Sequence, residues 1–557
     1  MTSGVEQKMA HMADGGEADR SEDSDRWAFG KEGPWVLRRD AMGWLDGLDA
    51  VREQHKRELP RLTEPRRWPP LGRFVEAARA VGGALLIWRL REGRQGGEVS
   101  RQGLSRRLRE AFEGLGSAYI KLAQIISSGR GLFPEELVLE FKHCLDQVPP
   151  DPYEDVRRTL EEELGAPLES VFESFEPECL AAASIAQVHA ARLKTGEDVV
   201  VKVQRANVDS LVRSDIAAMA WVAPKLVGRI PIAALANPPA LVELFAETVL
   251  EELDFRLEAQ NMLDIARVLK RGGQEGLIVP RPHPELVTRR VLVMERLSGF
   301  SYDDIEGMEA AGIETQSVLQ SMLISFLEGA MIYGVFHGDL HGGNLFVMED
   351  GRVALLDYGM TGRLSQKQRS AFLMMMMAGA VSNMRGQLEA FRDLGALDEN
   401  ADLDELMRLL KLDQTPRDPT KMSGEEIAGE IQQVLKALMA EGARLPKPLM
   451  LYAKDMLFFD GAVNQLAPDL DMFAEFTRIY GYFAQHHAET IVSQIGFDPS
   501  STEVDLSAAK ASLGMEEGEE SLTHRELQER RQIVQQKLEE QPLKVPSLGR
   551  SESRSSD

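Results

Sequence analysis

The chain has 557 residues, 43% of them hydrophobic, which is too long for one small domain and enough to bury a substantial core. Its net charge of −25 argues against general nucleic-acid binding. The two cysteines, Cys144 and Cys179, fall in no CxxC or Cys/His pattern, which argues against a disulfide framework or a zinc site and fits a reducing cytoplasm.

Residues 1–34 form a polar, acidic tail without the apolar core of a secretory signal or the Arg-rich character of a mitochondrial transit peptide, so disorder is expected there. Residues 35–130 read as a helical extension broken at Pro60, at the Pro69-Pro70 pair and at Gly96-Gly97. Within it, residues 52–113 hold 15 Lys/Arg against 8 Asp/Glu, a local +7 that leaves −32 for the rest. The same stretch contains Ala84-Leu85-Leu86-Ile87-Trp88. It has two readings: a basic-faced helix packed on the protein, or one lying on an anionic membrane surface. Further on, Leu108, Phe112, Leu115, Tyr119, Leu122 and Ile126 alternate spacings of four and three and so share one helix face. Ser117, Lys121, Gln124 and Ser128 fall opposite, where the ordinary expectation is a solvated polar face.

From Phe172 the texture changes. Ile185 to Leu193 and Asp198 to Gln204, joined by Lys194-Thr195-Gly196, read as two antiparallel strands with a tight turn. Pro239 to about Lys270 reads as one long acidic helix, and Arg290 to Glu295 as a short buried strand. Beyond Glu295 the pattern is almost all helical. A helix from Ser317 to Tyr333 leads into a loop at His337, Val353 to Leu356 is a short strand, and helices run from Ser365 to about Ser493. Glu503 to Glu540 is so charged, with Leu522, Leu527 and Leu538 so widely spaced, that it is expected to be at best a marginal exposed helix; 542–557 should be disordered. The longest apolar run, Ala371 to Val381, is far short of the ~18 residues a membrane span needs, so no transmembrane helix is expected.

The chemistry concentrates at His337-Gly338-Asp339-Leu340-His341-Gly342-Gly343-Asn344, followed by Asp357-Tyr358-Gly359. An Asp, an Asn five residues later and a second Asp before an aromatic-Gly pair form the acid set with which kinase-fold enzymes hold Mg-nucleotide. Asp357 and Asn344 are then the candidate metal ligands, and Asp339 the carboxylate that orients or deprotonates an attacking hydroxyl or water. His337 and His341 have i,i+4 spacing, but the intervening glycines disfavour a helix, so both read as loop-organising hydrogen bonders rather than metal ligands. Lys202, alone in Val199-Val200-Val201-Lys202-Val203, needs an acidic partner if buried; Glu251, Glu252, Asp254 and Glu258 are all candidates. Between the first two strands, where kinases carry G-x-G-x-x-G, the chain reads Ala181-Ala182-Ala183-Ser184-Ile185-Ala186-Gln187. Alanine allows close backbone approach but restricts φ, so a stiffer phosphate-covering loop is expected.

With these motifs in order, the sequence resembles the UbiB/ABC1/ADCK family of atypical kinase-like proteins over roughly Leu104 to Leu466. The resemblance implies an α+β, protein-kinase-like bilobal fold with a helical N-terminal extension over the active site and a mostly helical C-lobe. It divides the chain into the tail, the extension at 35–130, an N-lobe at 131–296, a C-lobe at 297–505 and a charged, largely disordered tail at 506–557. Lys121 and Gln124 match the family's KxGQ pair, whose helix blocks access of protein substrates, and Glu252 and Asp254 match the ExD pair that meets it. Glu258 matches the ion-pair partner of Lys202. Residues 181–184 would cover the phosphates, and Met294 to Leu297, with Glu295, would supply the hinge for adenine. Ala123 departs from the family's usual Gly, Gly342 from its usual Pro and Ala186 from its common Gly; the membrane-spanning helices in which its bacterial members often end are not expected here.

The implied cofactors are ATP and Mg2+, and the implied function is an ATPase or phosphotransferase linked to ubiquinone or other isoprenoid-lipid metabolism. It would be cytoplasmic or peripheral on the inner membrane face, with residues 52–113 as the membrane-facing stretch. Two alternatives remain: a pseudokinase-like, nucleotide-sensing binding module, and a small-molecule kinase of the aminoglycoside or choline type.

Overall fold

A computed structural model describes residues 33–539 apart from 65–66, 69, 71, 96, 128–133, 145–148, 227–237, 413, 415–416, 441–445 and 516–517. Of the tails expected at 1–34 and 542–557, residues 1–32 and 542–557 lie outside the described residues, as do Pro69, Gly96 and Ser128.

The smaller lobe is an antiparallel sheet in the order β1 (Phe172–Ala182), β2 (Ala186–Leu193), β3 (Asp198–Gln204), β6 (Val291–Glu295), β5 (Pro282–Val287). Its hydrophobic face is built by alternation: Val199, Val201 and Val203 meet Val291, Val293 and Leu160 in one core. The larger lobe is helical around one four-stranded and one two-stranded sheet of short strands. In it β10 (Val353–Leu355) lies between β4 (Leu277–Ile278) and β9 (Leu345–Val347), β9 pairs with β7 (Phe300–Ser301), and β8 (Val335–His337) pairs with β11 (Thr361–Arg363). Phe326, Phe336, Phe372, Tyr452 and Phe459 fill the core beneath them.

The helical extension comprises α1 (Leu48–Thr63), α2 (Arg73–Arg91), α3 (Gly97–Leu115) and α4 (Ser117–Ser127). Pro60 does not break α1. It sits in the last turn, where its fixed φ is helical and its carbonyl accepts the Glu64 N–H. The face running from Leu108 to Ile126 spans two helices rather than one, because Gly116 takes φ 91° between α3 and α4. The face survives the break: Leu115, Tyr119, Leu122 and Ile126 pack with Val212 and Ile216 of α7 (Val208–Leu226) and Phe245 and Val249 of α8 (Pro238–Glu252). The cover therefore shares its core with the helices below it. Between α4 and α7 the chain forms α5 (Glu135–Phe141) and α6 (Tyr153–Leu164).

Two further expectations change. The long acidic helix is two helices, α8 and α9 (Phe255–Arg271), because the Asp254 side chain accepts the Arg256 N–H and caps a new start. The segment after Glu503 is also docked. Its helix at His524–Glu539 packs on the helix at Gly424–Ala440 and on α12 (Lys447–Leu466), which follows α10 (Thr315–Glu328) and α11 (Gln366–Ala380) in the chain. Leu522 and Leu527 are buried against Phe473, and Arg531 pairs with Asp460 of α12 at 2.6 Å. No helix among the described residues is long and apolar enough to cross a membrane.

Candidate functional site

Alternation along β3 puts Lys202 on the face opposite its valine core, in the cleft between the lobes. Its Nζ donates to Glu258 Oε1 at 2.7 Å and to Asp357 Oδ2 at 3.2 Å. Of the four candidate acids, Glu258 is the partner because the cap at Asp254 restarts the helix and sets Glu258 in the first turn of α9. Burial alone would lower the Lys202 ammonium, but Asp357 and Glu258 outweigh it and hold its pKa above the ordinary lysine range. Burial pushes the Glu258 carboxyl up against the pull of Lys202. The cleft walls also desolvate Asp357, yet Lys202, the Gly359 N–H at 2.8 Å and Lys121 hold it down at about 2.

His337 ties the two acid-bearing loops together, as expected of it. Its Nδ1 accepts the Asp339 N–H at 3.1 Å and its Nε2 donates to the Asp357 carbonyl, so the buried ring is the neutral tautomer. Burial lowers its pKa accordingly. Asn344 donates its amide nitrogen to the Asp339 carbonyl at 3.3 Å, so its side-chain oxygen is the atom available to a metal. Asp357 and Asn344 suit Mg2+, which binds through one or two protein oxygens while substrate phosphates and water complete its octahedron. Among the described residues no cluster of three or more His, Cys, Asp or Glu makes a self-sufficient metal site.

Lys121 overturns the solvated-face expectation. It is buried, and its Nζ lies 2.7 Å from Glu252 Oε1 and 3.9 Å from Asp339 Oδ2. Burial alone would lower its pKa; Glu252 and Asp339 hold it raised instead. Ala123 is wholly buried in the helical core, so its methyl group does not keep α4 from the cleft. Gln124, half-buried, follows one turn later. The expected meeting of both ExD acids with Lys121 is only half realised, since Asp254 is committed to its cap and to Arg256 Nη2 at 2.6 Å.

Hydrogen bonds tie the alanine loop to its surroundings. Ala183 N–H donates to the Ala186 carbonyl, Arg205 Nε donates to the Ala183 carbonyl at 2.9 Å, and Gln187 accepts the Asp151 N–H at 2.8 Å. Ala181 and Ala183 are exposed, Ala182 is half-buried, and Ser184 is buried in the turn. At the opposite edge Glu295 ends β6, its backbone and side chain both bonded to the Arg281 backbone.

A model of the ABC1 atypical kinase-like domain matches residues 143–390. An uncharacterized aarF domain-containing protein kinase of the Arabidopsis thaliana chloroplast is 33% identical over 390 residues, 66% of this chain and 72% of that one. A Mycobacterium tuberculosis protein is 33% identical over 410 residues, 70% and 80% of the two chains. The probable protein kinase UbiB of Vibrio parahaemolyticus is 31% identical over 374 residues, 66% and 68% of the two. The chain belongs to the ABC1/UbiB family of atypical kinase-like proteins.

Two residues beside the family's acid set escaped the sequence reading. Lys454 of α12 forms a close ion pair with Asp339 Oδ1, so this ABC1 chain holds Asp339 between two lysines from opposite ends of the sequence. Although burial opposes it, Lys454 and Lys121 hold Asp339 well below the usual carboxylate range. The next residue, Asp455, is wholly buried and accepts the Leu340 N–H at 3.0 Å, while burial raises its pKa well above the ordinary value. A protonated Asp455 is nearly isosteric with asparagine. Asp455→Asn should therefore change stability little, while Asp455→Ala should cost ~1–3 kcal/mol by stranding the Leu340 N–H. Denaturant unfolding of both variants checks this. The only sequence signal was an adjacent Lys-Asp pair inside the otherwise apolar helix Leu449-Met450-Leu451-Tyr452 to Phe458-Phe459.

Proposed function

We propose that this ABC1-family chain is a Mg2+-dependent ATPase or phosphotransferase, serving ubiquinone or other isoprenoid-lipid metabolism at a membrane surface. The observation that carries the reading is the continuous charged contact Glu258–Lys202–Asp357, at 2.7 and 3.2 Å, in the same cleft as Asp339 and Asn344. In this reading Lys202 holds the α and β phosphates, residues 181–184 cover them, and the backbone beside Glu295 receives adenine. Asp357 and Asn344 hold Mg2+, which when bound neutralises the phosphate oxygens. Asp339 accepts the proton of the attacking hydroxyl or water. Lys121 and Glu252 narrow access to it, which disfavours a protein acceptor.

The membrane part is supported by α2. It buries Ala84 yet exposes Leu85, Leu86, Ile87 and Leu90 alongside Arg89 and Arg91. Apolar side chains flanked by arginine suit an anionic interface. A second reading, a nucleotide sensor without turnover, draws support from Lys121 standing 3.9 Å from Asp339, where it competes with an acceptor.

The test is ATP turnover by wild type and Asp357→Asn, with and without Mg2+ and anionic liposomes. Turnover is expected to need Mg2+, to rise with liposomes and to fall about a hundredfold or more in Asp357→Asn. Mg-ATP binding without turnover, with cellular function kept in Asp339→Asn, would establish the sensor instead.

A further inference from the structure

Beside the catalytic loop the larger lobe carries an open groove of about 560 Å3, between Tyr302, Gly342 and Gly343 on one side and Leu457, Phe458 and Gly461 of α12 on the other. Its position is informative. Gly342 and Gly343 lie between Asp339 and Asn344 in the loop, and α12 also supplies Lys454 to Asp339. Lys454, Phe458 and Gly461, at i, i+4 and i+7, share one face of α12, so the groove lies along the helix face whose Lys454 pairs with Asp339.

Two glycines shape it. A Cβ on Gly461 would meet nothing within 4 Å, so packing does not demand glycine there; its effect is to keep the groove wide. A Cβ on Gly342 would come within 2.9 Å of Tyr302 Cδ1, so glycine lets that ring lie against the loop as a wall. Leu457 is 48% exposed in the groove, an apolar side chain left uncovered beside a cation–carboxylate pair. The volume lies within the ~300–1,000 Å3 usual for small-molecule sites.

We propose that this groove seats the apolar body of a small amphipathic alcohol and presents its hydroxyl to Asp339. The proposal rests on the phosphotransfer reading above. The hydroxyl oxygen attacks the γ-phosphorus of a nucleoside triphosphate and forms a new P–O bond. The bond from that phosphorus to the β,γ-bridging oxygen breaks, the diphosphate leaves, and the hydroxyl proton passes to Asp339.

The test uses the full chain with Mg-ATP and straight-chain primary alcohols from hexanol to dodecanol, following ADP release and alkyl phosphate by mass spectrometry. Wild type is expected to form alkyl phosphate with an apparent KM that falls as the chain lengthens. Gly461→Trp should raise the decanol KM roughly tenfold or more while keeping the Mg-ATP-induced thermal shift. Leu457→Asp, at an exposed position, should do the same and covers the case in which the tryptophan variant does not fold. Equal decanol responses in wild type and a folded variant overturn the groove, as does a wild type that turns over Mg-ATP but ignores every alcohol. A wild type without any Mg-ATP-induced thermal shift overturns the phosphotransfer reading itself, and the groove with it.

Discussion

Lys202→Met is expected to lower ATP turnover by about a hundredfold to a thousandfold, the usual effect of removing a preorganised charge from a phosphoryl-transfer site. It should also destabilise the protein by roughly 3–5 kcal/mol, because Glu258 is left buried with only the Tyr358 N–H at 3.4 Å. The cost should depend on pH. Burial already raises Glu258, and loss of Lys202 raises it further, so the folded variant holds a proton that the unfolded chain gives up at its lower, ordinary pKa. A folded-state pKa above the unfolded one gives stability that is complete at low pH and lost as pH rises through the folded value. Lys202→Met should therefore lose more stability relative to wild type at about pH 8 than at about pH 5.5. The double variant with Glu258→Gln should recover part of the loss and flatten the difference. Urea unfolding at the two pH values measures both; identical pH dependence in single variant and wild type would show that Glu258 is not the stranded group.

The same residues show what a sequence can and cannot disclose. Asp339, Asn344 and Asp357 stood out in the sequence because metal and phosphate chemistry permits few residue types at few spacings, and the fold brings them to one cleft. Lys202 was legible because a lysine inside a valine strand is costly without a purpose. Its partner was not, since four acids lie within a few residues and the choice depends on where Asp254 caps α9. Lys121 was misplaced by periodicity alone. Periodicity locates a face, but α4 lies between a hydrophobic core and a cleft, and both its faces are covered; the family resemblance supplied the correction. The docked segment after Glu503 was missed because Leu522 precedes the helix that begins at His524, so helical spacing could not link it to Leu527. Lys454 had no motif at all, and 115 residues separate it from Asp339.

Lys454→Ala should consequently alter catalysis in a way that no motif predicts. Its ammonium is the leading influence holding the Asp339 carboxylate ionised against burial, with Lys121 second. Removing it lets the Asp339 pKa rise from its depressed value. A general base works only when deprotonated, so under the role proposed for Asp339 activity is lost as pH falls through that pKa, and the acid limb of the turnover profile should move to higher pH. Turnover on the plateau should fall about tenfold to a hundredfold as the carboxylate loses its fixed orientation. Lys454→Arg should keep the limb near its wild-type position, because the charge remains. The profile of kcat/KM against pH for the three proteins distinguishes this from simple loss of packing: a structural defect lowers the plateau in Lys454→Ala but leaves its acid limb in place. Because Arg531 of the helix at His524–Glu539 pairs with Asp460 on α12, less than two turns beyond Lys454, the same limb should also respond, more weakly, to deletion of residues 524–557. The charge state of Asp339 would then be set by a helix that carries no recognisable motif, braced by a segment that looked too polar to fold.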